Sequence, residues 1–248
     1  IPFKFEKSSR VMFPEELSAD VLKDLRVTVY YETGVNIEHA VICVPANSNP
    51  IKTKAVNDAA DLAGFRSHSL ILEPIAVSLA YNLHKTNGIW MIYDLGGGTF
   101  NVSLIRDNKG ELEKLATDGL ENLGGNAFDW QIVDDLFRPK IAYDLNLDDF
   151  RRGNPNYVEV FARLKNAAEI SKINLSKMGK TDRCISNLFD DYDFRYTLTR
   201  YKFKEIIDPL IEYTFKVVRN LLEEYSVSEE DIDKIILVGG SSISPIVQ

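Results

Sequence analysis

The stretch Asp94-Leu95-Gly96-Gly97-Gly98-Thr99 carries the clearest chemistry in this 248-residue sequence. An apolar run, Ile89 to Tyr93, enters it and Asn101 to Arg106 leaves it, so the pattern predicts a β-hairpin whose tip has no side chains. Successive glycines can take φ > 0 and turn several backbone N–H groups into one concavity, which suits an anion such as a phosphate. A carboxylate beside that cradle is repulsive unless a cation lies between, so Asp94 points to Mg²⁺ with its water shell. Thr99 leaves the turn with a hydroxyl able to bond a phosphate oxygen.

A tight hairpin alone would explain one triple glycine, but two further sites of this kind follow. Leu123-Gly124-Gly125-Asn126 runs into an amphipathic helix with Phe128, Ile132, Val133 and Leu136, and a helix N-terminus can approach an anion. Lys234 to Val238 reads as a buried strand delivered into Gly239-Gly240-Ser241-Ser242. Glu73 stands where a strand ends, the edge at which open α/β sheets place ligand groups, and equally where a helix favours an acid in its first turn. Glu169, Lys172 and Ser176 share one face of a predicted helix, Val158 to Ser176. Periodicity alone leaves two readings open there, a solvated face with an i, i+3 ion pair or a surface that recognises ribose and base.

The elements that must position these groups alternate strand and helix over the first part of the chain. A mixed segment, Lys4 to Val11, reads as a short strand. Phe13-Pro14-Glu15-Glu16 opens a helix with Val21, Leu22, Leu25, Val29 and Tyr30 on one face and Gly34 at its end. Ala40 to Val44 has the unbroken apolar character of a strand buried on both faces. A helix over Lys52 to Ala63, a strand over His68 to Leu72 and a helix over Ile75 to Leu83 complete an α/β alternation with a parallel sheet. Beyond the central hairpin, a third strand covers Glu111 to Ala116 and Asp144 to Tyr157 forms a surface connection. Residues Cys184 to Tyr196 form a further hairpin, and a helix from Thr197 or Thr199 to Tyr225 is interrupted or kinked near Pro209. Ser228-Glu229-Glu230-Asp231 starts a short capped helix.

Composition sets the class. With 45% hydrophobic and 27% charged residues, the chain reads as an ordinary globular protein. A formal net charge of −8 argues against a nucleic-acid surface and against docking on anionic lipid, so a polyphosphate needs local donors. Cys43 and Cys184 show no metal-ligand or disulfide spacing and fit a reducing compartment; His39, His68 and His84 form no cluster. No apolar run reaches membrane-spanning length and no signal peptide is visible. The opening Ile1-Pro2-Phe3 reads as the start of a fragment, and the expected location is cytoplasmic.

With the three glycine turns in order, the sequence resembles the ATPase domain of the 70 kDa heat-shock chaperone family, in the actin-like ATPase superfamily. The resemblance rests on Phe13 to Glu16, Val44-Pro45-Ala46, Glu73-Pro74 with Leu79-Ala80-Tyr81, Tyr93 to Phe100, Leu123-Gly124-Gly125 with Phe128-Asp129, Ala167 to Glu169 with Lys172 and Leu175-Ser176, and Ile236 to Ser241 with Pro245. It implies an α/β actin-like (ribonuclease H-like) fold, with part of the first lobe over 1–86 and a nearly complete second lobe over 87–248. Within that lobe 87–122 and 203–248 form the sheet subdomain and 123–202 a helical and hairpin subdomain.

The same resemblance implies ATP or ADP with Mg²⁺ as cofactors. Asp94, Glu73 and Thr99 are implied as catalytic residues, with Asp94 and Glu73 holding the metal through water. Gly96, Gly97, Gly98 and Thr99 are implied as a phosphate loop. Gly124, Gly125, Glu169, Lys172, Ser176, Gly239, Gly240 and Ser241 are implied around the nucleoside and α-phosphate, and Pro45 as an interdomain switch. Implied partners are nucleotide and, through a parent protein, unfolded clients and co-chaperones, with no nucleic acid and no membrane.

Departures from the family's pattern qualify this. A first phosphate loop and a lysine that reaches the γ-phosphate do not precede Ile1, so weak or no hydrolysis by this chain alone is expected. Asn101 stands where the family has an acid, Thr53 where it has an arginine, Asn47 where it has an aromatic and Ile243 where an arginine often packs on adenine. These motivate a second reading, a divergent non-catalytic chaperone relative that binds a partner. A sugar or acetate kinase of the superfamily is a third, against which the Glu169, Lys172, Ser176 helix speaks.

Overall fold

The computed structural model describes residues 3–4, 11–82 and 87–248. They fall into two units, Ile1–Asn87 with Asp107–Lys114, and Gly88–Arg106 with Leu115–Gln248. The expected boundary lies one residue earlier and did not foresee that 107–114 group with the first unit.

In the first unit, β1 (Phe3–Lys4) and β2 (Val11–Met12) pair antiparallel where one strand was expected, and residues 5–10 lie outside the described residues. The helix α1 (Pro14–Thr33) starts and stops as its sequence dictates. The Glu16 carboxylate accepts the Phe13 N–H at 2.7 Å, and Gly34, at φ 73°, donates its N–H to Tyr30 O at 2.8 Å. The expected apolar face is only partly the buried one. Ala19 packs with Ala59 and Ala63, with Leu22 alongside, while Val21, Leu25 and Tyr30 are exposed. Small residues let two helices approach closely, and that selects the contact face over the bulkier stripe.

The strand β3 (His39–Val44), the helix α2 (Pro50–Leu62, capped by Asn49 Oδ1 accepting Lys52 N–H at 2.9 Å), the strand β4 (Ser67–Leu72) and the helix α3 (Glu73–Ala80) follow. β3 and β4 are parallel, as expected, with Val44 opposite Leu72. β3 is not buried on both faces: Val41 is 68% exposed. Its sheet has two strands among the described residues, so one face and one edge of β3 go uncovered. The expected helix end at Leu83, and His84, lie outside the described residues.

The second unit contains β5 (Gly88–Leu95), the greater part of β6 (Thr99–Asn108) and of β7 (Glu111–Glu121), then α4 (Gly125–Ile132), a π turn (Val133–Phe137), α5 (Arg138–Leu145) and α6 (Val158–Leu175). The hairpin β8 (Lys180–Phe189) and β9 (Tyr192–Thr199), the helix α7 (Arg200–Glu224) and β10 (Lys234–Val238) complete it. The sheet order is β10-β5-β6-β7, with β10 parallel to β5 and Val238 opposite Asp94. β5 is central, which is why Trp90 to Tyr93 are all buried. β10 is an edge strand, so Ile235 is 59% exposed rather than buried as expected.

The core lies between this sheet and the helices. Tyr93 packs against Phe100 with tilted rings, centroids 4.6 Å apart, and its hydroxyl meets Thr214 Oγ1 at 2.7 Å, tying β5 to α7. Phe137, Phe194 and Tyr196 form the aromatic contact under the β8–β9 hairpin. The helix interruption expected near Pro209 is absent, while at a second proline, Pro139, the missing N–H and bulky ring leave a mark on the helix. At Pro139 the preceding turn widens to a π turn, Arg138 N–H bonding Val133 O, which keeps the ring off the carbonyl four residues back. At Pro209, α7 runs on unbroken because the proline and Glu205 face solvent, where water can satisfy the freed carbonyl. Thr199 caps α7 by accepting the Lys202 N–H at 3.1 Å. Thr199→Ala is expected to cost about 1 kcal/mol of unfolding free energy, read by urea denaturation, since nothing else replaces that acceptor.

Candidate functional site

The hairpin tip after Asp94 is closed by one backbone bond, Gly96 N–H to Thr99 O at 3.0 Å. None of Gly96, Gly97 and Gly98 takes a left-handed φ, contrary to expectation, and nothing lies within 4 Å of where a Cβ on Gly97 or Gly98 would sit. The glycines here keep space open rather than enable an unusual backbone. The N–H groups of Gly97 and Gly98 donate to no carbonyl among the described residues and, with Thr99, are exposed.

The three glycine sites converge on this tip. Gly125 N–H donates to Gly96 O at 3.0 Å and Asn126 N–H to Gly97 O at 2.7 Å, while Ser241 Oγ donates to Gly96 O at 2.8 Å. Gly124 lies so close that a Cβ there would stand 2.7 Å from Gly96 O and 2.9 Å from Gly97 O. This corrects one expectation. Ala127 and Phe128 N–H donate to Gly124 O, so the first donors of α4 are spent within the protein and the helix N-terminus offers none to an anion. The exposed donors at the hairpin tip are then Gly97, Gly98 and Thr99.

Beside the tip, α6 forms one wall of a cavity of about 250 Å³ with Glu169, Lys172, Ile173 and Ser176. Gly240, Ser241 and Ser244 line it from the turn after β10, with Gly97, Gly125 and Phe203 completing it. Ser171, one residue before Lys172, is pinned by Tyr196 OH at 2.8 Å and bonds Ala167 O, which fixes the rotation of α6. The i, i+3 Glu169–Lys172 ion pair, one of the two readings left open by periodicity, does not form. Lys172 Nζ instead lies 2.7 Å from Asp129 Oδ1 and donates to Gly125 O at 3.0 Å. Sequence reasoning did not single out Asp129 as a site residue. Its signal was an acid set among Phe128, Ile132 and Val133, on the face that a helix buries.

Asp94 is half-buried, and its desolvation pushes the carboxyl above the usual carboxylate range. No cation pairs with it among the described residues. There is also no cluster there of three or more His, Cys, Asp or Glu that could cage a metal. That donor set fits Mg²⁺, which keeps its waters and needs one or two carboxylates plus phosphate oxygens rather than a protein cage. Glu73, first residue of α3, and Pro45, which follows β3 and accepts Ser48 N–H at 3.0 Å, belong to the first unit. The other expected site residues all belong to the second.

The family model of the Hsp70 protein matches residues 3–248. The chain belongs to the Hsp70 family. Membership supports a chaperone ATPase type of function; the family in general takes ATP or ADP with Mg²⁺ and binds nucleotide and client proteins. The family's actin-like ATPase fold agrees with the mixed α/β architecture of this chain. No helix among the described residues is long and apolar enough to cross a membrane.

Proposed function

We propose that the second unit is the nearly complete second lobe of an Hsp70 nucleotide-binding domain, and that it binds ATP and ADP between the hairpin tip and α6. The first unit supplies part of the first lobe. The observation that carries this reading is the convergence of Gly96–Gly98, Gly124–Gly125 and Gly239–Ser241 through Gly96 O and Gly97 O, beside an unpaired, half-buried Asp94. Gly97 N–H, Gly98 N–H and the Thr99 hydroxyl donate to phosphate oxygens. The α6 residues Glu169, Lys172 and Ser176 hold the ribose and base, and Gly240 and Ser241 close on them from the other wall.

Bound Mg²⁺ would neutralise phosphate charge at this site. Asp94 would hold the metal's water shell, and its carboxylate is placed to orient an attacking water by accepting a hydrogen bond from it. Catalysis of this kind is positioning and charge stabilisation, with little covalent work for the protein. In the same reading Glu73 and Pro45 keep, within the first unit, the roles that the resemblance implies for them, a metal-facing carboxylate and an interdomain switch of a cytoplasmic chaperone.

Isothermal titration of the chain with ADP and ATP, each with and without Mg²⁺, tests the proposal. Saturable binding with a Kd of about 1–100 μM is expected, corresponding to roughly −8 to −5.5 kcal/mol. Absence of heat with either nucleotide at millimolar concentration would remove it.

A further inference from the structure

Lys172 Nζ carries three protons and makes two contacts. It lies 2.7 Å from Asp129 Oδ1 in an ion pair and donates to Gly125 O at 3.0 Å. The Lys172 side chain is 16% exposed and lines the cavity, whereas the Asp129 side chain is 0% exposed and lines nothing. Neither Asp129 oxygen has a hydrogen-bond partner of good geometry among the described residues, so its contact with Lys172 is an ion pair. A fully buried carboxylate with an unsatisfied oxygen is costly, and an apolar residue at that position in α4 would pack more cheaply. Its presence asks for a return, and among the described residues the charge it meets in direct contact is the lysine of the cavity wall.

We infer that Asp129 is a positioning residue for nucleotide binding: with Gly125 O it claims two protons of the Lys172 ammonium and so presents the third to an oxygen of the ligand. The inference rests on the nucleotide reading of the same cavity. It also assigns Gly125 a second task. A Cβ there would stand 3.0 Å from Lys172 Nζ and 2.7 Å from Ser241 Oγ, so the bare backbone is what lets the ammonium and the Ser241 latch come in together. The flexible lysine stem loses its rotamer freedom in the free protein rather than on binding, which favours affinity. Asp129 touches no ligand in this arrangement; it acts through Lys172 alone.

The test combines ADP titration with a ligand-free readout, nitrogen-detected NMR of the lysine ammonium groups, in which only slowly exchanging, hydrogen-bonded ammonium gives a sharp signal. In the unsubstituted chain, Lys172 is expected to give such a signal and a through-bond coupling from its Nζ to the Asp129 carboxyl carbon. Absence of that coupling overturns the inference without any variant. Asp129→Asn, which keeps the shape and removes the charge, is expected to lose the signal and to weaken ADP binding by about tenfold or more. Lys172→Ala is expected to weaken it comparably, and the double variant no further than Lys172→Ala alone. Additive losses, or an Asp129→Asn chain with unchanged ADP affinity, overturn the inference. If the unsubstituted chain binds no ADP, the nucleotide reading fails by itself. The NMR readout then still decides whether Asp129 holds Lys172.

Discussion

Gly239→Ala is expected to destabilise the chain by more than about 3 kcal/mol, the largest single effect of any substitution at the site. Gly239 has φ 87°, a left-handed backbone that costs any L side chain about 1–2 kcal/mol on its own. The added Cβ would also fall onto Leu95 O and stand 2.7 Å from Asp94 Oδ1. Neither neighbour can yield cheaply. Leu95 ends the central strand, and Gly239 O is itself held by Ser242 Oγ at 2.7 Å. Relief would require β10 to draw away from β5, opening the Ser241 bond to Gly96 O on which the cavity wall depends. Gly97→Ala is the control: its Cβ points into open space and its φ is not left-handed, so urea denaturation should give a midpoint close to that of the unsubstituted chain. Equal losses in the two variants would mean that the glycines act through the flexibility of the unfolded chain rather than through this close approach.

What the sequence made legible was local. Phe13 to Glu16, Gly34, Thr199 and the Ser228–Asp231 box all cap elements where their types and spacing indicate, because capping involves residues within one turn of each other. The three glycine sites were legible too, as strands that end without side chains. Their convergence was not, since Gly96 meets Gly125 and Ser241 through backbone and hydroxyl groups that leave no periodic trace. Burial was misread where it depends on neighbours rather than composition: Val41 and Ile235 sit in apolar runs, yet each lies in a strand with one edge free. The fate of the α4 donors and the partner of Lys172 were hidden for a related reason. Each site offered a plausible local use, an anion for the helix and Glu169 for the lysine, and a distant segment outcompeted it.

Asp94→Asn is expected to move stability and binding in opposite directions. Burial raises the Asp94 carboxyl above its usual range, so the folded chain holds that proton more tightly than the unfolded chain does. Above that raised range, where the group is ionised in both states, its charge therefore works against the fold. As pH falls through the raised folded value this penalty shrinks, and below the unfolded value it is gone. The neutral, isosteric Asn escapes the penalty at every pH. The variant should thus have the higher thermal midpoint at pH 7, with the gap closing as the pH is lowered into the carboxylate range. Over the same comparison, the dependence of ADP affinity on Mg²⁺ should disappear, because a carboxamide carries no charge to hold the metal's water shell. A purely structural aspartate would behave otherwise, losing stability on neutralisation through lost bonds. Asp94 has no bond to lose among the described residues. A lower midpoint for Asp94→Asn at pH 7, with Mg²⁺ dependence intact, would show that the carboxylate serves the fold and would withdraw it from the site. The expected pair of results instead identifies a group kept at a cost to stability for the cation it meets only when nucleotide is bound.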